Sequence, residues 1–346
     1  MTDPEVFFTA TYHAFLKAEK KSPSVTRFFR IGPSTVCLRF AGAPLALNMT
    51  NAIEHLSILP VKNPDLTVCA FDGLSAGVML PALPTASRLE KGMLTDYSNE
   101  SIKSAFFIDS CLLAMLNSAE RLGIFWIKDA GDLPYHERCF PMRSIFHWWF
   151  RLQKVQIAHA AAVGTPTGGA LIVGRSGSGK STTALSCLTK NLLYAGDDYL
   201  LLGQDPLPRA YSLSSSAKLH CDSIKKLLPA LPKLKIREKT NNDKSIVLMY
   251  PEYADKLIRG FPVKALLVPG ISGRNKTTIT KATQAKALLA IAPSTVIPLP
   301  GADKRDFHFL SAFVAKVPSY TLELGTDYAE VAGRIADWLS SGLKHG

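Results

Sequence analysis

In the first 150 positions apolar and polar residues alternate over short runs. Val36-Cys37-Leu38-Arg39-Phe40 and Leu66-Thr67-Val68-Cys69-Ala70-Phe71 have the period of two expected of strands with one buried face. Gly42-Ala43-Pro44 and Asp72-Gly73 punctuate them as turns. Longer apolar segments predict two helices, over residues 101–122 and 143–153, the second carrying Trp148 and Trp149 as core anchors. Residues 1–150 are therefore expected to form an α+β domain.

From Val155 the pattern changes. Residues 155–163 are apolar and suited to a strand, and Thr165-Pro166-Thr167-Gly168-Gly169 is a turn. A wholly apolar strand, Ala170-Leu171-Ile172-Val173, leads into a glycine-rich loop and a helix reaching about Lys190. Residues 192–202 form a further strand interrupted by Gly196-Asp197-Asp198. This strand–loop–helix–strand order is that of an α/β domain, expected over residues 151–346. Near the end, Tyr328, Val331, Ile335, Trp338 and Leu339 fall on one helical face, with Gly325-Thr326-Asp327 as stop and N-cap; that face is expected to be core.

The chain has 346 residues, 47% of them hydrophobic and 20% charged, the balance of a folded globular protein. The apolar segments near 105–116 and 157–173 are broken by Asp109, His159 and glycines, short of the roughly 20 residues that span a bilayer. No signal peptide is read in Met1-Thr2-Asp3-Pro4-Glu5. Six scattered cysteines without a CxxC pair argue against a zinc site and for free thiols, so a cytoplasmic location is expected.

The net charge of +12 is concentrated. Residues 215–290 hold fifteen Lys/Arg against five Asp/Glu. Such an excess attracts an acidic peptide, nucleotide phosphates or nucleic acid, or is simply a solvated face. Nucleic acid ranks low, because the basic residues are not interleaved with aromatics and no recognised motif accompanies them.

Gly174-Arg175-Ser176-Gly177-Ser178-Gly179-Lys180-Ser181 fits GxxxxGK[ST] in full, between an apolar strand and a helix. The glycines let backbone N–H groups converge on phosphates at a helix N-terminus. Lys180 then reaches the β- and γ-phosphates, and Ser181 offers its hydroxyl to Mg²⁺. The candidate ATP-binding residues run on through Thr182. Asp197 and Asp198 follow Lys180 by seventeen and eighteen residues. Two carboxylates beside a triphosphate can divide the work, one holding the metal and one taking a proton from an attacking hydroxyl; Gly-Asp-Asp is also ordinary turn chemistry. Among the basic residues that could complete a phosphate site, Lys218 and Lys244 are favoured over Arg259 and Arg274.

The stretch from His159 to Asp198 resembles the catalytic domain of the HPr serine kinase/phosphorylase family, a P-loop family related in fold to the ATP-dependent carboxykinases. That family shows a histidine on the strand before the P-loop and an Ala-Asp-Asp after the next helix. Here His159 precedes Lys180 by twenty-one residues, and Ala195-Gly196-Asp197-Asp198 stands where the family has its acidic pair. The resemblance implies Asp198 as the base for the acceptor hydroxyl, His159 and Lys180 at the reacting phosphate, and Ser181 with Asp197 as Mg²⁺ ligands. It implies ATP-dependent phosphorylation of a serine in a peptide or protein.

The departures are specific. Thr182 stands where the family usually has Glu, and the family's Leu-Glu-Ile-Arg-Gly segment is absent. The chain is more similar to divergent HPr-kinase-like proteins, lasso-peptide kinases among them. The resemblance is strong over about forty residues. The parent family forms hexamers, and whether this chain is a homo-oligomer stays open.

Three functions compete. The leading expectation is a peptide or protein serine kinase with an acidic acceptor, for which residues 1–150 are the candidate recognition domain. The second is a small-molecule kinase on the same scaffold, and the third a nucleotide-dependent switch or ATPase. No LSGGQ-like signature, apolar run ending in Asp-Glu, or Asn-Lys-x-Asp motif supports a transporter, motor or GTPase.

Overall fold

The computed structural model describes residues 3–80, 89–90, 92–240 and 243–343. It divides into two compact units, Met1–Gln153 with Pro298–Gly301, and Lys154–Ile297 with Ala302–Gly346.

In the first unit, α1 (Pro4–Lys21) starts where the Asp3 carboxylate accepts hydrogen bonds from the N–H groups of Glu5 and Val6. Pro4 supplies a preset first turn, and Lys20 and Lys21 suit the negative end of the helix dipole. Phe7, Phe8, Ala14, Phe15 and Ala18 form its buried face. The hairpin β1 (Ser24–Ile31) and β2 (Ser34–Ala41) leads to α2 (Ala43–Thr50), β3 (Leu66–Asp72) and the short α3 (Gly73–Ala76). Then come β4 (Leu89–Glu90), β5 (Met93–Leu94), β6 (Ile102–Phe107), β7 (Leu112–Asn117) and β8 (Leu122–Ile127), followed by α4 (Tyr135–Cys139) and α5 (Arg143–Leu152). The sheet runs β1-β2-β3-β8-β7-β6-β5-β4, with β3 parallel to both neighbours.

The helix expected over 101–122 is not there. β6, β7 and the start of β8 form an antiparallel meander. All six residues of β7 are buried, so no polar alternation marks it as a strand, and a continuous apolar run does not distinguish a buried strand from a buried helix. The turns at Asp109-Ser110 and around Ser118 were the available signal. The second expected helix is α5. Trp149 Nε1 donates to Ser34 Oγ at 3.1 Å and Trp148 Nε1 to the Pro300 carbonyl at 3.0 Å, so both rings are core anchors whose polar atoms are paired.

The second unit opens with β9 (Val155–Ala158) and β10 (Ala160–Thr165), one extended stretch broken at His159. β11 (Gly168–Val173) leads through the glycine-rich loop into α6 (Lys180–Cys187). β12 (Leu193–Gly196) and β13 (Leu200–Gly203) are a second broken stretch, interrupted at residues 197–199. β14 (Arg209–Tyr211), β15 (Ser216–His220), α7 (Cys221–Leu227), β16 (Ile236–Lys239), β17 (Lys244–Leu248) and the long β18 (Gly260–Ile271) follow. The chain ends with β19 (Thr278–Lys281), α8 (Gln284–Val296), α9 (Lys304–Lys316), β20 (Ser319–Leu324) and α10 (Tyr328–Ser340).

β10 pairs with β11 and β12, β9 with β13, and β13 with β14, while β11 and β14 both pair with β18. The hydrogen-bonded order is therefore β12-β10-β11-β18-β14-β13-β9. Strand periodicity sorts the apolar residues into two cores. Ala161, Val163, Ala170 and Ile172 pack with α6 and α10 residues; Ala160, Ala162, Leu171 and Val173 pack with residues of α8 and α9. α10 begins at the Asp327 cap and buries Val331, Ile335 and Trp338, so its apolar face is core. β15, β17 and β16 form a separate three-stranded sheet. Within the described residues no helix is long and apolar enough to cross a membrane, and all six cysteines are free.

Candidate active site

The glycine-rich loop closes on itself through its lysine. Lys180 is 5% exposed, and its Nζ donates to the carbonyls of Gly174 at 2.6 Å and Arg175 at 3.1 Å. Burial lowers its pKa, against the charges of Asp197 and Asp198, which raise it. Gly177 and Gly179 have φ of +82° and +96°, and a Cβ on Gly179 would stand 2.7 Å from Leu324 Cδ1. Only glycine suits that corner, where the loop turns into α6.

The two broken stretches bring in His159, Asp197 and Asp198. Ala158 pairs with Leu200 on one side of the breaks and Ala162 with Gly196 on the other. His159 and Asp197-Asp198-Tyr199 therefore lie opposite one another where both strands kink. The His159 N–H, freed from the ladder, donates to Thr295 Oγ1 at 2.9 Å, and its ring meets Tyr199 edge-on at 5.6 Å. Asp198 has φ +61°, a left-handed conformation that Asp tolerates better than most residues. Its Oδ1 is 3.5 Å from His159 Nε2, and its Oδ2 is 3.6 Å from Lys218 Nζ.

The pKa values of the adjacent carboxylates are shifted in opposite directions. Burial raises the pKa of Asp198, but the His159 contact, Lys218 and Lys180 outweigh it and bring the value down to about 2. Asp197 is 1% exposed, and burial followed by the Asp198 charge raises its pKa to about 6. The Ser181 hydroxyl and the Asp198 N–H lie close enough to favour its charge, but neither completes a well-aligned hydrogen bond, and both Asp197 carboxylate oxygens are orphaned. A buried carboxylate without partners is costly unless something completes it.

Among the described residues no group of three His, Cys, Asp or Glu could hold a metal by itself. That pattern does not suit zinc. It is compatible with Mg²⁺, which typically takes one or two protein oxygens and completes its shell with phosphate and water. Ser181 and the orphaned Asp197 provide such oxygens.

These groups surround a cavity of about 320 Å³ lined by His159, Ser176, Gly177, Gly179, Lys180, Ser181, Thr182, Asp198, Lys218 and Lys244, among others. Lys218 and His220 alternate on β15, and His220 is registered against Lys244 on β17, so the three share one face of that sheet. Lys244 Nζ reaches back to Ser176 Oγ at 3.1 Å. Gly174, Arg175, Ser178 and Asp197 are not lining residues; the first two act through their carbonyls, and Asp197 is buried. Arg259 and Arg274 do not line the cavity either, and Arg274 lies 3.7 Å from Glu323.

Sequence reasoning missed Lys226, His220, Thr326 and Tyr328, all of which line the cavity. Register between β15 and β17 puts His220 beside Lys244, and no local motif announces it; Thr326 and Tyr328 had been read only as cap and core.

No protein-family model matches the chain, and no curated protein matches it.

Proposed function

We propose that the second unit is an ATP-dependent kinase that transfers the γ-phosphate to a serine hydroxyl of a peptide or protein. The observation behind it is the convergence of Lys180, Ser181, Asp198, His159, Lys218 and Lys244 on one cavity, although they come from segments spread over 86 positions of the sequence. A structural glycine turn would require none of the four that lie outside the loop.

In this reading the loop N–H groups and the α6 N-terminus hold the phosphates, and Lys180 exchanges its carbonyl partners for β- and γ-oxygens. Mg²⁺, held by Ser181 and Asp197, supplies charge neutralisation at the phosphates. Asp198, ionised, accepts a hydrogen bond from the serine hydroxyl and aligns it for in-line attack. The new bond joins the serine oxygen to the γ-phosphorus, the bond to the ADP oxygen breaks, and the hydroxyl proton passes to the Asp198 carboxylate. A carboxylate of low pKa suffices, because a loose transition state asks more of alignment than of base strength. His159 holds Asp198 in orientation, and Lys218 and Lys244 meet charge developing on the transferred group. The unbridged thiols suit a reducing compartment, so the cytoplasm is the proposed location.

A small-molecule acceptor is the second reading, favoured by the pairing within the basic segment. Lys235 and Arg237 both lie against Glu252, at 3.3 and 3.4 Å, and Lys225 lies 3.4 Å from Asp222. That reduces the charge available to recruit an acidic peptide. Incubation with γ-labelled ATP, Mg²⁺ and serine peptides encoded beside the gene tests both. Label on a peptide serine is expected; label only on a small metabolite selects the second reading, and label on neither with ATP consumed selects an ATPase.

A further inference from the structure

The cavity continues past the phosphate-binding end. Along α6, Thr182, Thr183 and Ser186 border it, and from Lys180 to Ser186 the helix rises about 9 Å. That is comparable with the reach from a γ-phosphate through the ribose to a base. At this far end Thr326 offers a hydroxyl, whereas Leu324, against Gly179, and Ile271, registered beside it, are apolar surface nearer the loop. The Tyr328 ring lies at the same end as Thr326, with Lys226 Nζ 5.8 Å from its centroid. A second cavity of about 250 Å³ also borders Ser186, Lys226, Thr326 and Tyr328, so this pair stands at the junction of two hollows. Both hollows therefore adjoin the Lys226–Tyr328 contact.

Resting on the assignment of the P-loop to nucleotide phosphates, we propose that Tyr328 and Lys226 form the base-binding subsite. The nucleotide extends from Lys180 along α6, and its base stacks on the Tyr328 ring. An aromatic face suits a purine through stacking. Lys226 offers only donors, so it meets ring acceptors or a carbonyl of the base. The Thr326 hydroxyl donates to Asn275 Oδ1 at 3.3 Å and keeps lone pairs to accept from an amino group, which adenine and guanine both carry. The subsite thus adds affinity for a purine nucleotide while discriminating weakly between ATP and GTP.

Calorimetric titration of the full chain with Mg-ATP, Mg-GTP and inorganic tripolyphosphate tests this. Tyr328→Ala should weaken ATP and GTP binding by roughly 10-fold and leave tripolyphosphate within about twofold. Tyr328→Phe should keep ATP affinity, and Lys226→Ala, at an exposed position, should weaken ATP about threefold without affecting tripolyphosphate. Retained tripolyphosphate binding also reports that the variants are folded. Equal weakening of ATP and tripolyphosphate in either alanine variant, or no weakening of ATP in Tyr328→Ala, would overturn the subsite. A wild-type preference for ATP over GTP beyond about 100-fold would overturn the discrimination stated above. Wild-type protein that binds none of the three removes the P-loop assignment and the subsite together. ATP binding that follows this pattern without phosphate transfer removes the kinase and leaves the subsite standing.

Discussion

Among the described residues, each unit buries one carboxylate whose pKa is raised, and the two are completed differently. Glu137, in the first unit, is 4% exposed and pushed up to about 7 by burial, against the pull of Arg143. Its Oε2 accepts a 2.7 Å hydrogen bond from the Met142 N–H, so it ties α4 to the start of α5. Asp197, in the second unit, suffers a similar desolvation and then a second carboxylate beside it, while both of its oxygens lack partners. Desolvation is common to both. What separates them is alignment: the Met142 N–H is aimed at Glu137, whereas the Ser181 hydroxyl and the Asp198 N–H stand near Asp197 without completing a bond.

If the second unit is built around absent phosphates, the greatest sensitivity lies at its lysine. Lys180→Ala should lower phosphate transfer by about 10³-fold or more and weaken ATP binding, since a charge facing the transferred group is lost. A folded variant with unchanged turnover would show that the loop does not serve catalysis. Asp198→Asn comes next. It keeps a residue that tolerates the left-handed backbone, so it tests charge alone; transfer should fall about 10²-fold with ATP affinity nearly unchanged. Asp197→Asn should cost about 10-fold and be partly restored by raising Mg²⁺, whereas Asp198→Asn should not respond. Identical Mg²⁺ responses in the two variants would erase the division of labour between neighbours.

The first unit provides the control, with a smaller effect. The Glu137 pKa is higher folded than unfolded, so the folded state holds its proton more tightly and its contribution to stability falls as pH rises. That loss runs from about pH 4.5 to about pH 7, at about 1 kcal/mol per pH unit in the middle of the range. Glu137→Gln should flatten this dependence in denaturant unfolding followed between pH 5 and 6.5 and leave ATP binding unchanged. An undiminished slope would mean that another group carries it.

The residues that were legible in the sequence are those whose geometry is local. The loop from Gly174 to Ser181 is contiguous, so strand, turn and helix could be placed from its own glycines and flanks. Asp197 and Asp198 stood out because they interrupt an apolar strand, and His159 only because the resemblance to the HPr kinase family implies a histidine at that offset. Lys226 and Tyr328 are separated by 102 positions and meet only through tertiary packing, which no window of sequence can display. The meander at 101–127 failed for the reverse reason, because burial on both faces removes the polar alternation that identifies a strand.

The facing breaks in the two long strands also determine where the chain can change length. His159 and Asp198 are spaced by the ladders on either side of them, Ala158 with Leu200 and Ala162 with Gly196. A single residue inserted into β9 or β12 would send the following side chain to the opposite face of the sheet and separate the pair. The turn at residues 204–208, which joins β13 to β14, has no such register to keep, so insertions there leave the spacing of histidine and aspartate intact. For anyone grafting a new segment onto this scaffold, the indel-tolerant positions lie within a few residues of the intolerant ones.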